Sequence, residues 1–130
     1  MLTKSLLVLK KYAFLILFVY ASLLTAGSLS NTGGMPELGS NFDDKIYHFF
    51  AYTIFTFLTY NFLSRKNINY KITYSAITVL LYGIIIEVLQ HVLTANRTLD
   101  AIDVLANFLG ILSAVFMLLL RQRIFLKMNA

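Results

Sequence analysis

Three groups of polar residues interrupt a chain that is otherwise mostly apolar. Asp44, His48 and Tyr52 recur at i, i+4 and i+8, while Gly83, Glu87, Gln90 and His91 gather in a second group. Asp100, Asp103, Asn107 and Gly110 form a third, at offsets of 3, 7 and 10 from its first residue. At helical periodicity each group falls along one face. Lys45 adjoins the first group, and Arg97 stands just before the third. Cations of this kind hold phosphate or carboxylate, with arginine able to grip two oxygens at once. Glu87, Gln90 and Asn107 suit sugar hydroxyls or amides. Glu87 and His48 are the candidates for proton exchange, should the site be catalytic. His48, Glu87 and Asp103 are also of the types that ligate a divalent metal. No span carries the close histidine pair of a helical zinc motif, and there is no Gly-x-Ser-x-Gly elbow. The reading therefore takes no metal and no cofactor, and leaves catalysis open.

Each residue also has a plainer use. Asp43 or Asp44 suits the cap of a helix, Lys45 can snorkel to headgroups, and Tyr47 and Tyr52 can anchor at an interface or fill core. Gln90 and Asn107 can join helices, at about 0.6–2 kcal/mol per hydrogen bond. Gly83 and Gly110 can simply let helices approach. His48, Glu87, Arg97, Asp100 and Asp103 together are harder to dismiss. A charge at mid-membrane costs about 2.5–3.5 kcal/mol on insertion scales, so five ionisable groups at one level point to a functional pocket.

The level is a membrane level because of what surrounds it. The chain has 130 residues, 58% hydrophobic and only 13% charged, with no cysteine. An ordinary soluble domain carries roughly 25% charged residues. This composition excludes a soluble enzyme, a disulfide scaffold and a disordered chain. Apolar stretches at 12–29, 46–63, 72–93 and 101–120 are each long enough to span or nearly span a hydrocarbon core about 30 Å thick. The expected fold is a single all-α domain over 1–130, a four-transmembrane-helix bundle with short links. Glu87 then lies about 9 Å inside the end of its helix. There it either finds a cationic partner, with Arg97, His48 and His91 in reach, or keeps its proton.

Nine of the eleven cations fall before the first stretch, between the second and third, or after the fourth. All six acids fall toward the opposite side. By the positive-inside rule both termini are cytoplasmic and the polar groups face outward. The net charge of +5 follows from this topology and from anionic inner-leaflet lipid, so it does not point to nucleic acid. Lys10-Lys11, the run after them and Ala26-Gly27-Ser28 also have the make-up of a signal peptide, although the run is long for one.

The motifs Asp44-Lys45-x-x-His48-Phe49-x-x-Tyr52, Glu87-x-x-Gln90 and Arg97-x-x-Asp100-x-x-Asp103-x-x-x-Asn107-x-x-Gly110 stand in register on successive spans. Together they resemble the VanZ-like family of small bacterial membrane proteins, from Asp44 to about Leu120. The resemblance implies a multi-pass plasma-membrane protein of the cell envelope. It marks Asp44, Lys45, His48, Glu87, Gln90, Arg97, Asp103 and Asn107 as signature positions. The family takes its name from a member linked to resistance to the lipoglycopeptide antibiotic teicoplanin. The expected function is thus an envelope factor whose outer pocket recognises membrane lipid, a lipid-linked cell-wall precursor or a lipoglycopeptide. The alternative is a membrane-embedded enzyme on a lipid-linked substrate, using Glu87 and His48. Proton or ion translocation fits less well, because the inner halves of the spans offer no acidic or histidine relay.

Overall fold

The computed structural model describes residues 2–30, 43–93 and 101–129, and the described residues contain helices and no strand. In chain order these are α1 (Leu2–Lys11), α2 (Ala13–Leu29), α3 (Asp43–Leu63), α4 (Lys71–Leu93) and α5 (Ala101–Met128). The four expected stretches correspond to α2 through α5. Three boundaries differ from the apolar runs. A further helix, α1, precedes α2 with only Tyr12 between them, α3 begins at Asp43, and α5 continues to Met128. Hydropathy marks where apolar side chains stop, whereas backbone hydrogen bonding continues through Lys and Arg, which are good helix formers.

α3 and α4 are joined by a tight link. Ser64 N–H donates to Tyr60 O at 2.7 Å and Lys66 N–H to Leu63 O at 2.9 Å, closing the end of α3. Tyr70 takes the left-handed conformation, φ 56°, immediately before α4 starts. So short a link makes α3 and α4 antiparallel neighbours.

α3 and α5 pack most intimately, and Gly110 is the reason. A Cβ at this position would collide with the backbone carbonyl of Phe49. The missing side chain lets Thr53 Oγ1 donate both to Phe49 O at 2.8 Å and across the interface to Gly110 O at 3.1 Å. Gly83 does a related service on α4, where a Cβ would stand 2.8 Å from the edge of the Tyr52 ring. α2 lies against α3 and α4 through polar contacts. Tyr20 Oη donates to Ala51 O at 2.8 Å, and the Thr25 and Tyr82 hydroxyls meet at 2.6 Å.

The distribution of polarity is inverted relative to a protein in water. Tyr52, Phe55, Val79 and Ile111 form the apolar core, but Thr56, Thr59, Ser75, His48, Glu87, Gln90, Asp103 and Asn107 are buried with them. The buried hydroxyls of Thr56, Thr59 and Ser75 donate to carbonyls one turn back, so small polar side chains fill the interfaces with their hydrogen bonds made. Meanwhile Phe14, Phe18 and Leu23 of α2, Phe50 of α3, Leu81 and Ile85 of α4, and Phe116 and Met117 of α5 point outward. α4 and α5 are each long and apolar enough to cross a membrane, and only 28% and 39% of their apolar windows are buried. A core helix of a soluble protein would be mostly hidden, so the exposed apolar remainder is in keeping with a membrane helix.

Candidate functional site

The polar groups of the sequence converge at one end of the bundle, where α3 and α5 begin and α2 and α4 finish. Asp43, Asp44 and Asp103 lie in the first turns of α3 and α5, where the positive end of each helix dipole favours a carboxylate. Between the two helices Lys45 Nζ sits 2.5 Å from Asp103 Oδ1 and 3.7 Å from Asp44 Oδ2. One ammonium thus stitches two helix N-termini together. The cation expected to meet an anionic ligand is engaged with the protein's own carboxylates.

One turn deeper, His48 and Asn107 form the next layer, both buried. His48 Nδ1 lies 2.9 Å from Asn107 Oδ1. An amide oxygen only accepts, so Nδ1 carries the proton and donates it. In the neutral ring this leaves the Nε2 lone pair, which is on the Asp44 side at 3.7 Å from Asp44 Oδ1. The Asn107 Nδ2 group is buried without a hydrogen-bond partner among the described residues. Beneath this layer the His48 and Tyr52 rings stack with centroids 6.4 Å apart.

α4 contributes Glu87 and Gln90, each 4% exposed. Gln90 Nε2 donates to the backbone carbonyl of Ser28 at 2.8 Å, tying the end of α2 into the site. Glu87 lies on the same face of α4, between Gln90 and the Gly83 that receives Tyr52. A cavity of about 160 Å³ opens here, lined by Leu24, Ser28, Asp44, Tyr47, His48, Ala51 and Gln90.

Of the residues singled out by spacing, Asp44, Lys45, His48, Tyr52, Glu87, Gln90, Asp103 and Asn107 meet at this end. His91 does not. It is exposed, because one residue beyond Gln90 turns the helix by about 100° and carries the side chain off the buried face. Arg97 and Asp100 lie outside the described residues. Ser28 and Leu24 were not among the expected site residues. Ser28 acts through its backbone carbonyl, which any residue carries, so only the small polar side chain near the end of an apolar run hints at it.

Asp44, His48 and Asp103 each present one ligand atom, all within 4.8 Å of one another. They differ from the expected set by Asp44 in place of Glu87, and Lys45 already supplies positive charge among them. The site therefore offers a rim in which one lysine is shared by two carboxylates, a histidine with a fixed proton and a small cavity with hydroxyl and amide partners. It can accept hydrogen bonds from a hydroxyl or amide placed at the Asp44 side, and His48 Nε2 can take a proton there.

A sequence model described as VanZ/LLP1 matches residues 4–122, from α1 into the later turns of α5. No curated protein and no solved structure matches the chain.

Proposed function

The chain belongs to the VanZ/LLP1 family, and from that premise we propose a bacterial plasma-membrane protein with four spans and both termini in the cytoplasm. Its buried polar end faces outward and recognises the hydrogen-bonding part of a lipid-linked cell-wall precursor or a lipoglycopeptide. The carrying observation is the placement of the Ser28–Gln90 pair and of His48, held from behind by Asn107, around a cavity at one end of a bundle whose flanks are apolar. A lipid-anchored ligand would bring its tail to those flanks and its polar part to that end. The cavity, at about 160 Å³, admits a hydroxyl or amide edge and not a whole glycopeptide. Most of such a ligand would rest at the rim, where Asp44 and Tyr47 are partly exposed. The orientation is supported by the cationic residues Lys10, Arg65, Lys66 and Arg121 at the other end.

A second reading is favoured by the His48 proton arrangement. A neutral imidazole with Nδ1–H held by Asn107 and Nε2 beside the cavity is oriented as a general base. On this reading the chain is a membrane-embedded enzyme acting on a lipid-linked substrate, with Glu87 as the second acid–base group.

The test is teicoplanin susceptibility in a host without an outer membrane, with vancomycin as the comparison lacking a lipid tail. Empty vector, wild type, Glu87→Gln, Gln90→Leu and Arg97→Ala are compared at matched membrane expression. Protection by the wild type against teicoplanin alone, lost in the variants, supports recognition at this end. No protection at matched expression refutes the link to lipoglycopeptides.

A further inference from the structure

A second site lies at the opposite end of the bundle, away from every family motif. A groove of about 850 Å³ runs between the end of α3 and the later turns of α5, with Lys10, Arg65 and Arg121 on its walls. These cations come from three separate segments: α1, the α3–α4 link and α5. Tyr60, Asn61 and Ser64 add polar groups, and Phe57, Leu58, Met117 and Leu118 give it an apolar wall. Arg121 also borders two smaller depressions, of about 370 and 410 Å³, that lead away along Phe125, Leu126 and Ile124.

Arg65 is fixed in place. Its Nη1 donates to the carbonyl of Lys10 and, at 3.3 Å, to that of Lys11. This holds the end of α1 over the groove and keeps Lys10 and Arg65 close together.

The groove's charge has no carboxylate counterpart among the described residues. Among the described residues every carboxylate side chain (Asp43, Asp44, Glu87 and Asp103) belongs to the opposite end of the bundle. Three cations lining one groove with no carboxylate beside them among the described residues make it attractive to an anion from outside. The apolar wall of Phe57, Leu58, Met117 and Leu118 selects an anion that arrives with a hydrocarbon body. We propose that this groove is a binding seat for one anionic phospholipid. Lys10, Arg65 and Arg121 hold the phosphate, and the acyl chains run from there toward the middle of the bundle along Met117 and Leu118. The proposal rests on the reading that the helices sit in lipid, but it is independent of what the polar end recognises.

The test is native mass spectrometry of the full chain, purified in an uncharged detergent and titrated with phosphatidylglycerol or phosphatidylcholine. A neutral micelle has no surface potential, so any preference reports a local site. The wild type is expected to retain phosphatidylglycerol in preference to phosphatidylcholine. The double variant Lys10→Gln/Arg121→Gln loses affinity for phosphatidylglycerol by about 25-fold, taking about fivefold per cation. The double variant Lys4→Gln/Lys127→Gln removes the same charge outside the groove and keeps the preference. Equal binding of the two lipids by the wild type would overturn the proposal, as would equal losses in both double variants or displacement of phosphatidylglycerol by inorganic phosphate. Should the groove variant fail to fold, the wild type alone still decides, because phosphatidylglycerol must raise its melting temperature more than phosphatidylcholine does. Glu87→Gln should leave this lipid preference intact, so the two ends fail or stand separately.

Discussion

Lys45 Nζ, on the first turn of α3, stands 2.5 Å from Asp103 Oδ1, on the first turn of α5. Their side chains are only 21% and 12% exposed, so each charge has traded most of its hydration for the other. Removing one partner leaves a half-buried charge alone. Lys45→Met and Asp103→Leu should each lower stability by about 1–3 kcal/mol, less than the about 3–5 kcal/mol of a fully buried pair. The double variant Lys45→Met/Asp103→Leu should recover most of that loss. Thermal unfolding in detergent measures all three, and simple additivity in the double variant would show that the two residues do not interact.

His48 is expected to carry its neutral-state proton on Nδ1 because the Asn107 oxygen accepts it there. The chain has only two histidines, and His91 is exposed, which gives an internal reference for nitrogen-15 spectra of histidine-labelled protein. His48 should show the Nδ1–H pattern. Asn107→Asp, which keeps an acceptor, should preserve it, and Asn107→Leu should abolish it. An Nε2–H pattern in the wild type would sink both this assignment and the general-base reading built on it.

The two buried glycines should respond differently to alanine. At Gly110 the obstacle is the Phe49 backbone, so α3 and α5 must separate. Gly110→Ala should cost about 1–3 kcal/mol, as overpacking does, and no side-chain change nearby should rescue it. At Gly83 the obstacle is the edge of the Tyr52 ring. Gly83→Ala should therefore be partly rescued by Tyr52→Leu, which removes that edge. Melting temperatures of the wild type, Tyr52→Leu, the two glycine variants and each glycine variant combined with Tyr52→Leu check the contrast, and rescue of Gly110→Ala by Tyr52→Leu would contradict it.

Much of this site could be read from spacing, for a physical reason. In a chain so apolar, buried polar side chains have little choice but to face one another. The helical offsets of Asp44, His48 and Tyr52, of Gly83, Glu87 and Gln90, and of Asp103, Asn107 and Gly110 therefore converge. Pairings inside the cluster were not legible. Whether Lys45 meets a ligand or Asp103 depends on how α3 and α5 are rotated and offset, which periodicity does not encode. The Ser28 carbonyl leaves no trace in the residue type. His91 shows the limit of grouping by nearness, since one step along a helix takes a side chain from a buried face to an exposed one.

The number of spans can be decided with cysteine labelling, because the chain has no cysteine of its own. α4 and α5 are each long and apolar enough to cross a membrane, whereas α2 has 17 residues and α3 opens with Asp43, Asp44 and Lys45. If only α4 and α5 cross, everything before α4 shares one side. If all four cross, the segment between α2 and α3 is outside while the α3–α4 link stays inside. Ser40→Cys should then react with an impermeant maleimide in intact cells, and Asn67→Cys only after the membrane is opened. The two-span arrangement predicts that both are protected until that point. Four spans also give the exposed Phe14, Phe18 and Leu23 of α2 a lipid environment, whereas two spans would leave them in water. Protection of Ser40→Cys in intact cells would overturn the four-span reading and the outward placement of the polar end.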